Sequence, residues 1–117
     1  MKENQLIDKS LVLASKIVKL YKYLNKEQKE TIISKQIIRS GTSIGANINE
    51  ANYGNSKADF ISKLHISLKE TGESIYWLTL LKRTSLIEYN FDELLSLAEE
   101  IKRMLIASLN TAKENKK

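Results

Sequence analysis

The chain has 117 residues, with 19 Lys and Arg against 14 Asp and Glu, a single His, and a formal net charge of +5 at pH 7. It has no Cys, which excludes disulfides, thiolate zinc sites, iron–sulfur clusters and cysteine nucleophiles. With no Pro and four Gly it lacks the punctuation of β-rich folds, so the long runs of Leu, Ile, Lys, Glu and Ala predict one all-helical domain over residues 1–117.

In the first segment Leu6, Leu13, Ile17, Leu20 and Leu24 recur at helical spacing, with Ile7, Leu11, Ala14, Val18 and Tyr21 as an adjacent seam. At about 100° per residue Lys9, Lys16, Lys19, Lys22 and Lys26 fall on the opposite arc, with Val12 and Tyr23 between them. Charges thread this stretch, unlike a signal peptide, and no apolar run in the chain approaches the roughly 20 residues that cross a bilayer, so a cytoplasmic protein with no membrane role is expected. Asn25 with Gln28 has the form of a capping box, predicting a second helix from there to about Asn52. Tyr53-Gly54-Asn55-Ser56 is the clearest break, where Gly54 suits the left-handed residue that closes a helix and Ser56 with Asp59 a capping box that opens the next. The third helix is predicted to reach Thr84 or Ser85. Asn90 with Glu93 opens a fourth, with Leu94, Ala98, Ile101, Leu105, Ser108 and Ala112 as its seam and a fraying tail from Lys113. Four helices on short loops predict an antiparallel up-down-up-down bundle.

Two segments stand out. In helix three Ile75, Tyr76, Trp77, Leu78, Leu80 and Leu81 surround the helix, and a helix apolar on all sides must be covered on all sides. A second copy docking on Tyr76, Trp77, Leu80 and Leu81 is the preferred cover; wrapping by the chain's own loop and Phe91 is the alternative. In helix two Arg39, Ser43, Asn47 and Glu50 share one face, beside Ile37, Ile44, Ile48 and Ala51. Gly41 and Gly45 form a small-xxx-small pair that lets another helix approach closely. The polar stripe reads either as a set of cross-bundle partners for helix three, with Arg39 reaching Glu73, or as part of a ligand or nucleic-acid surface; the packing role is preferred.

The pattern Gln36, Arg39, Ser43-Ile44, Asn47-Ile48 and Glu50, followed by Ser56, Phe60, Leu64, Glu73 and Tyr76-Trp77-Leu78, resembles the four-helix-bundle family of 23S rRNA intervening-sequence proteins. The resemblance covers about residues 36–81. It implies a homopentamer and kinship to accessory proteins of diversity-generating retroelements, which bind nucleic acid (RNA or DNA) and a reverse transcriptase. Ala51 stands where the family usually has Gly, which predicts that helix two runs on past Glu50.

Residues 1–30 hold seven Lys against four acids, whereas residues 90–117 hold five of each sign, so helix one carries most of the excess charge. Its five lysines either bind phosphate backbones weakly, without sequence preference and in a salt-dependent way, or form a solvated face. Enzyme signatures are missing. Gly41 to Gly45 lies within a helix and has no phosphate-loop Lys, and His65 is preceded at three residues by Ser62 instead of the acid a bundle di-iron site requires. Glu70 with Glu73 and Glu99 with Glu100 read as surface or interhelical charges. The expectation is a non-enzymatic, self-associating nucleic-acid scaffold without cofactor or metal, with an adaptor for a protein partner as the alternative.

Overall fold

The computed structural model describes residues 2–84 and 87–114, with side chains from Gln5 onward. Four helices follow in order: α1 (Lys2–Lys26), α2 (Ile32–Asn52), α3 (Lys57–Thr84) and α4 (Phe91–Glu114). Ser85 and the tail beyond residue 114 lie outside the described residues. Each helix packs on two neighbours, α1 on α2 and α4, and α3 on α2 and α4, which makes a closed square of helices. The body measures 51 × 21 × 20 Å.

The antiparallel registers can be followed through individual contacts. Asn25 Nδ2 donates to Ser34 Oγ (2.8 Å) at one end of the α1–α2 seam, and Ser10 meets Gly45 near the other. Glu50 pairs with Lys63 and Ser74 with Ser40 along α2–α3, and Lys82 with Asp92 at the α3–α4 turn. The chain therefore runs up, down, up and down, as the four amphipathic segments predict.

The first α1 seam, the apolar face of α2 and the α4 seam from Leu94 to Leu105 form the core with Leu64, Leu78 and Leu81 of α3, whereas Ile7, Ala14, Val18 and Tyr21 of the adjacent α1 seam lie only at its edge and Leu11 lies outside. Leu6, Leu13, Ile17, Leu20 and Leu24 of α1, Ile37, Ile44, Ile48 and Ala51 of α2, and Leu94, Ala98, Ile101 and Leu105 of α4 are all buried. Helix α2 does run past Glu50, carrying Ala51 into the core. Gly41 and Gly45 meet α1: a Cβ on Gly41 would run into the Ile17 side chain, and one on Gly45 would sit 2.7 Å from Ser10 Oγ. The small-xxx-small pair thus sets the α1–α2 distance.

Two local expectations are corrected. Asn25 and Gln28 do not open α2. Asn25 belongs to α1 and turns its amide to Tyr21 O and Ser34 Oγ, and α2 begins at Ile32 beneath Glu30. The Glu30 carboxylate accepts the N–H groups of Ile32, Ile33 and Ser34 at 3.0, 2.9 and 2.8 Å, which satisfies three donors that a helix start leaves open. Lys29 makes the reversal in the left-handed region at φ 56°. Gly54, in turn, is not left-handed. It is small because a Cβ there would lie 2.7 Å from Asp59 Oδ2 and 3.2 Å from the Ala51 carbonyl. The Ser56 cap forms as predicted, with Ser56 Oγ accepting from the Asp59 N–H at 3.1 Å.

Candidate nucleic-acid interface

The basic arc of α1 divides in two. Lys9 Nζ lies 3.1 Å from Glu100 and Lys16 Nζ 3.1 Å from Glu93, so these two lysines lean over the seam toward α4. Lys19, Lys22 and Lys26 are exposed and make no ion pair among the described residues. The Asn25–Ser34 hydrogen bond draws the start of α2 against the last turn of α1, adding exposed Lys35 to the same end of the bundle. Between the lysines the surface is apolar: Leu11 is 61% and Val12 48% exposed, although Leu11 was expected in the inner seam. Tyr21 and Tyr23 are half-buried, with the Tyr23 hydroxyl accepting from Gln28 Nε2. Sequence reasoning found the lysines and left Glu100 open as a surface or interhelical charge, but missed Lys35 and the pairing of Glu93 and Glu100 with the lysines. Lys35 sits among apolar and neutral residues, where no periodicity singles it out.

The polar stripe of α2 is anchored at both ends on α3. Arg39 Nη1 donates to both carboxylate oxygens of Glu70 (3.1 and 3.2 Å), and Nη2 donates to Glu73. Desolvation pulls the Arg39 pKa down, but the hydrogen bonds and charges of Glu70 and Glu73 outweigh it and leave it raised. Glu50 takes Lys63 at 2.9 Å, and this hydrogen bond together with the attraction of the charge raises the lysine pKa. Ser43 and Asn47 do not cross the seam; each donates to a carbonyl one turn back, Ser43 Oγ to Arg39 O and Asn47 Nδ2 to Ser43 O. Beneath them lies a buried set of hydroxyls. Ser74 Oγ donates to Ser40 Oγ (2.9 Å), Ser67 Oγ to Ile44 O (2.9 Å) and Thr71 Oγ1 to Ser67 O, all fully buried. These buried groups are partnered, as packing demands. Arg39, Ser43, Asn47, Glu50 and Glu73 thus lie along one seam, with Glu70 as a buried member, which decides for the interhelical of the two roles that the sequence left open for it.

Helix α3 uses most of its apolar girth inside its own chain. Leu81, expected at a subunit interface, is 1% exposed and belongs to the core beside Leu78, because the helix turns both toward the bundle axis. Trp77 and Leu80 are half-buried, and the indole nitrogen is enclosed without a partner among the described residues. Phe91 closes part of the tip and packs against Tyr89. Tyr76 remains outside, 61% exposed, its ring standing edge-on to Trp77 at 5.0 Å. Along the same outer face Gly72 has nothing within 4 Å of where a Cβ would be. His65 is exposed.

Among the described residues no three His, Asp or Glu side chains are placed to hold a metal ion. The depressions between α1 and α4, between α1 and α2, on the outer face of α1 and at the α1–α2 turn contain one carboxylate each at most. Among the described residues no helix is long and apolar enough to cross a membrane.

A family model for 23S rRNA-intervening sequence proteins matches residues 2–107. The chain belongs to this family. The crystal structure of a protein of unknown function from the S23 ribosomal protein family of Bacteroides thetaiotaomicron superimposes with a TM-score of 0.90 at 52% identity, over 94% of this chain and 99% of that one. No curated protein matches the chain. For this 23S rRNA-intervening sequence protein the matched span includes both the lysine arc of α1 and the polar seam between α2 and α3.

Proposed function

We propose that this 23S rRNA-intervening sequence protein is a non-enzymatic, self-associating helical scaffold that binds nucleic acid weakly and without sequence preference through α1. The observation that carries the reading is the set of exposed lysines Lys19, Lys22 and Lys26, which have no carboxylate partner among the described residues in a stretch, residues 9–26, that contains no acid. Exposed ammonium groups along one helix suit phosphate backbones and offer no base-reading geometry. The family name, which ties these proteins to 23S rRNA, supports the same polyanion. Self-association through the Tyr76 face would repeat the lysines around an assembly and multiply weak contacts, and a homopentamer is the number the family resemblance implies.

Binding of a fluorescent generic RNA, followed by polarisation, tests the reading. Three phosphate contacts per copy give a log–log salt slope of about −2 to −3, and K19E/K22E/K26E weakens binding by about tenfold or more at low salt. Absence of binding at low salt overturns it. Light scattering tests assembly separately: Tyr76→Glu lowers the mass of an oligomer, and a monomeric parent at micromolar concentration removes that half of the proposal. A second reading, an adaptor for a protein partner, is favoured by the exposed Leu11 and Val12 within the lysine arc; an adaptor of this kind ignores nucleic acid at every salt concentration.

A further inference from the structure

Charge in this chain is segregated along two neighbouring helices. Residues 9–26 hold five Lys and no acid, whereas residues 88–100 hold Glu88, Asp92, Glu93, Glu99 and Glu100 and no Lys or Arg. The antiparallel register lays the two stretches side by side, and two pairs close across the seam, Lys9 with Glu100 and Lys16 with Glu93, each at 3.1 Å. We infer that the acidic first half of α4 is an internal competitor of nucleic acid, in which Glu100 and Glu93 withhold Lys9 and Lys16 from phosphate and confine the binding face to Lys19, Lys22 and Lys26.

Both pairs lie at the surface. The lysine side chains are 35% and 38% exposed and their carboxylates 44% and 58%. Exposed pairs of this kind contribute little to folding; Glu93 also suits the first turn of α4 as an acid at a helix start, but Glu100, more than two turns in, has no such role there. A carboxylate and a phosphodiester compete for the same ammonium, and the carboxylate, attached to the adjoining helix, competes at a high local concentration. The consequence is geometric as well as electrostatic. From Lys19 to Lys26 the free face extends about 10 Å along α1, while a face from Lys9 to Lys26 extends about 25 Å and spans several more phosphates. The acids of α4 therefore limit how much strand one copy can hold and place the contact at the end of the bundle where α1 passes into α2.

This inference rests on the reading of α1 as a polyanion face, and its test separates the two. Oligouridylate binding is measured against salt for the parent, for E93Q/E100Q, for E93Q/E100Q carrying K9Q/K16Q, and for E99Q/E114Q. The last variant removes the same two charges from α4 at positions that pair with no lysine among the described residues. Release of two lysines deepens the loss of affinity between about 50 and about 200 mM salt by about sevenfold in E93Q/E100Q. The added K9Q/K16Q returns the parent slope, and E99Q/E114Q leaves it unchanged. If E93Q/E100Q has the parent slope, or if E99Q/E114Q steepens it equally, the internal competitor is overturned while the polyanion face stands. If the parent does not bind oligouridylate at all, both readings fall together.

Discussion

At the scale of single residues the molecule separates positions where size matters from positions where it does not. Gly72 lies mid-helix on α3 with open space where its Cβ would be, so the flexibility of glycine weakens the helix without a packing gain in return. Gly72→Ala is expected to stabilise the fold by about 0.5–1 kcal/mol in a urea titration, with an unchanged m-value. Glu30 is the opposite case, since one carboxylate satisfies three N–H groups at the start of α2. Glu30→Ala should lower stability by about 1–2 kcal/mol, read as an earlier urea midpoint. This cap was not legible in advance, because Asn25 and Gln28 offer the same chemistry as a real start signal. The choice between them depends on whether α1 ends before or after its last apolar turn, and the answer is after, since Leu24 is fully buried. Gly54 was misread for a related reason: a glycine at a helix end announces a tight place, and only the position of Asp59 shows that the tightness is steric and not a left-handed backbone.

At the scale of the helices the two faces of α2 do different work. Toward α1 it presents Gly41 and Gly45, and a larger side chain there must push the buried Ile17 or Ser10 aside. Gly41→Val is expected to cost about 2–3 kcal/mol by overpacking, measured by chemical denaturation. Toward α3 it presents Arg39, whose guanidinium is the partner of the buried Glu70. Arg39→Met leaves that carboxylate uncompensated; because Arg39 itself is half exposed, the loss should be about 2 kcal/mol, below that of a fully enclosed pair. Adding Glu70→Met should recover most of it, and failure of the double variant to recover would show that the charges are not coupled. The apolar seams of α1, α2 and α4 were readable from periodicity, since burial in a bundle follows the helical repeat. The register of the polar seam was not. Arg39 could be matched to Glu73 by face, yet Glu70 lies three residues away on the same side, and only packing decides which carboxylate is enclosed. Ser67, Thr71 and Ser74 left a usable signal, hydroxyls at core spacing beside Leu64, Leu78 and Leu81, which argues for a buried polar line in α3.

At the scale of the whole molecule, charge and grease are distributed separately. Basic charge gathers on α1 and the first turn of α2, acid on the first half of α4, and the exposed aromatic Tyr76 lies on α3. A helix apolar around its girth suggested that a second copy must cover Leu81, but α2 and α4 already bury most of that girth, and what remains outside is narrower than the sequence implied. The assembly proposed above therefore depends on Tyr76 and the half-buried Trp77 and Leu80, so Leu81→Ala should destabilise the fold by about 2–5 kcal/mol in thermal melts without acting as an interface variant.

Because the four rods alternate in direction, residues 2 and 114 share one pole of a body 51 Å long, while Lys26, Lys29 and Lys35 crown the opposite pole. A dye grafted at exposed Asn110 leaves that crown unobstructed. Energy transfer from it to an oligonucleotide labelled at one terminus would report how far along the rod a captured strand travels.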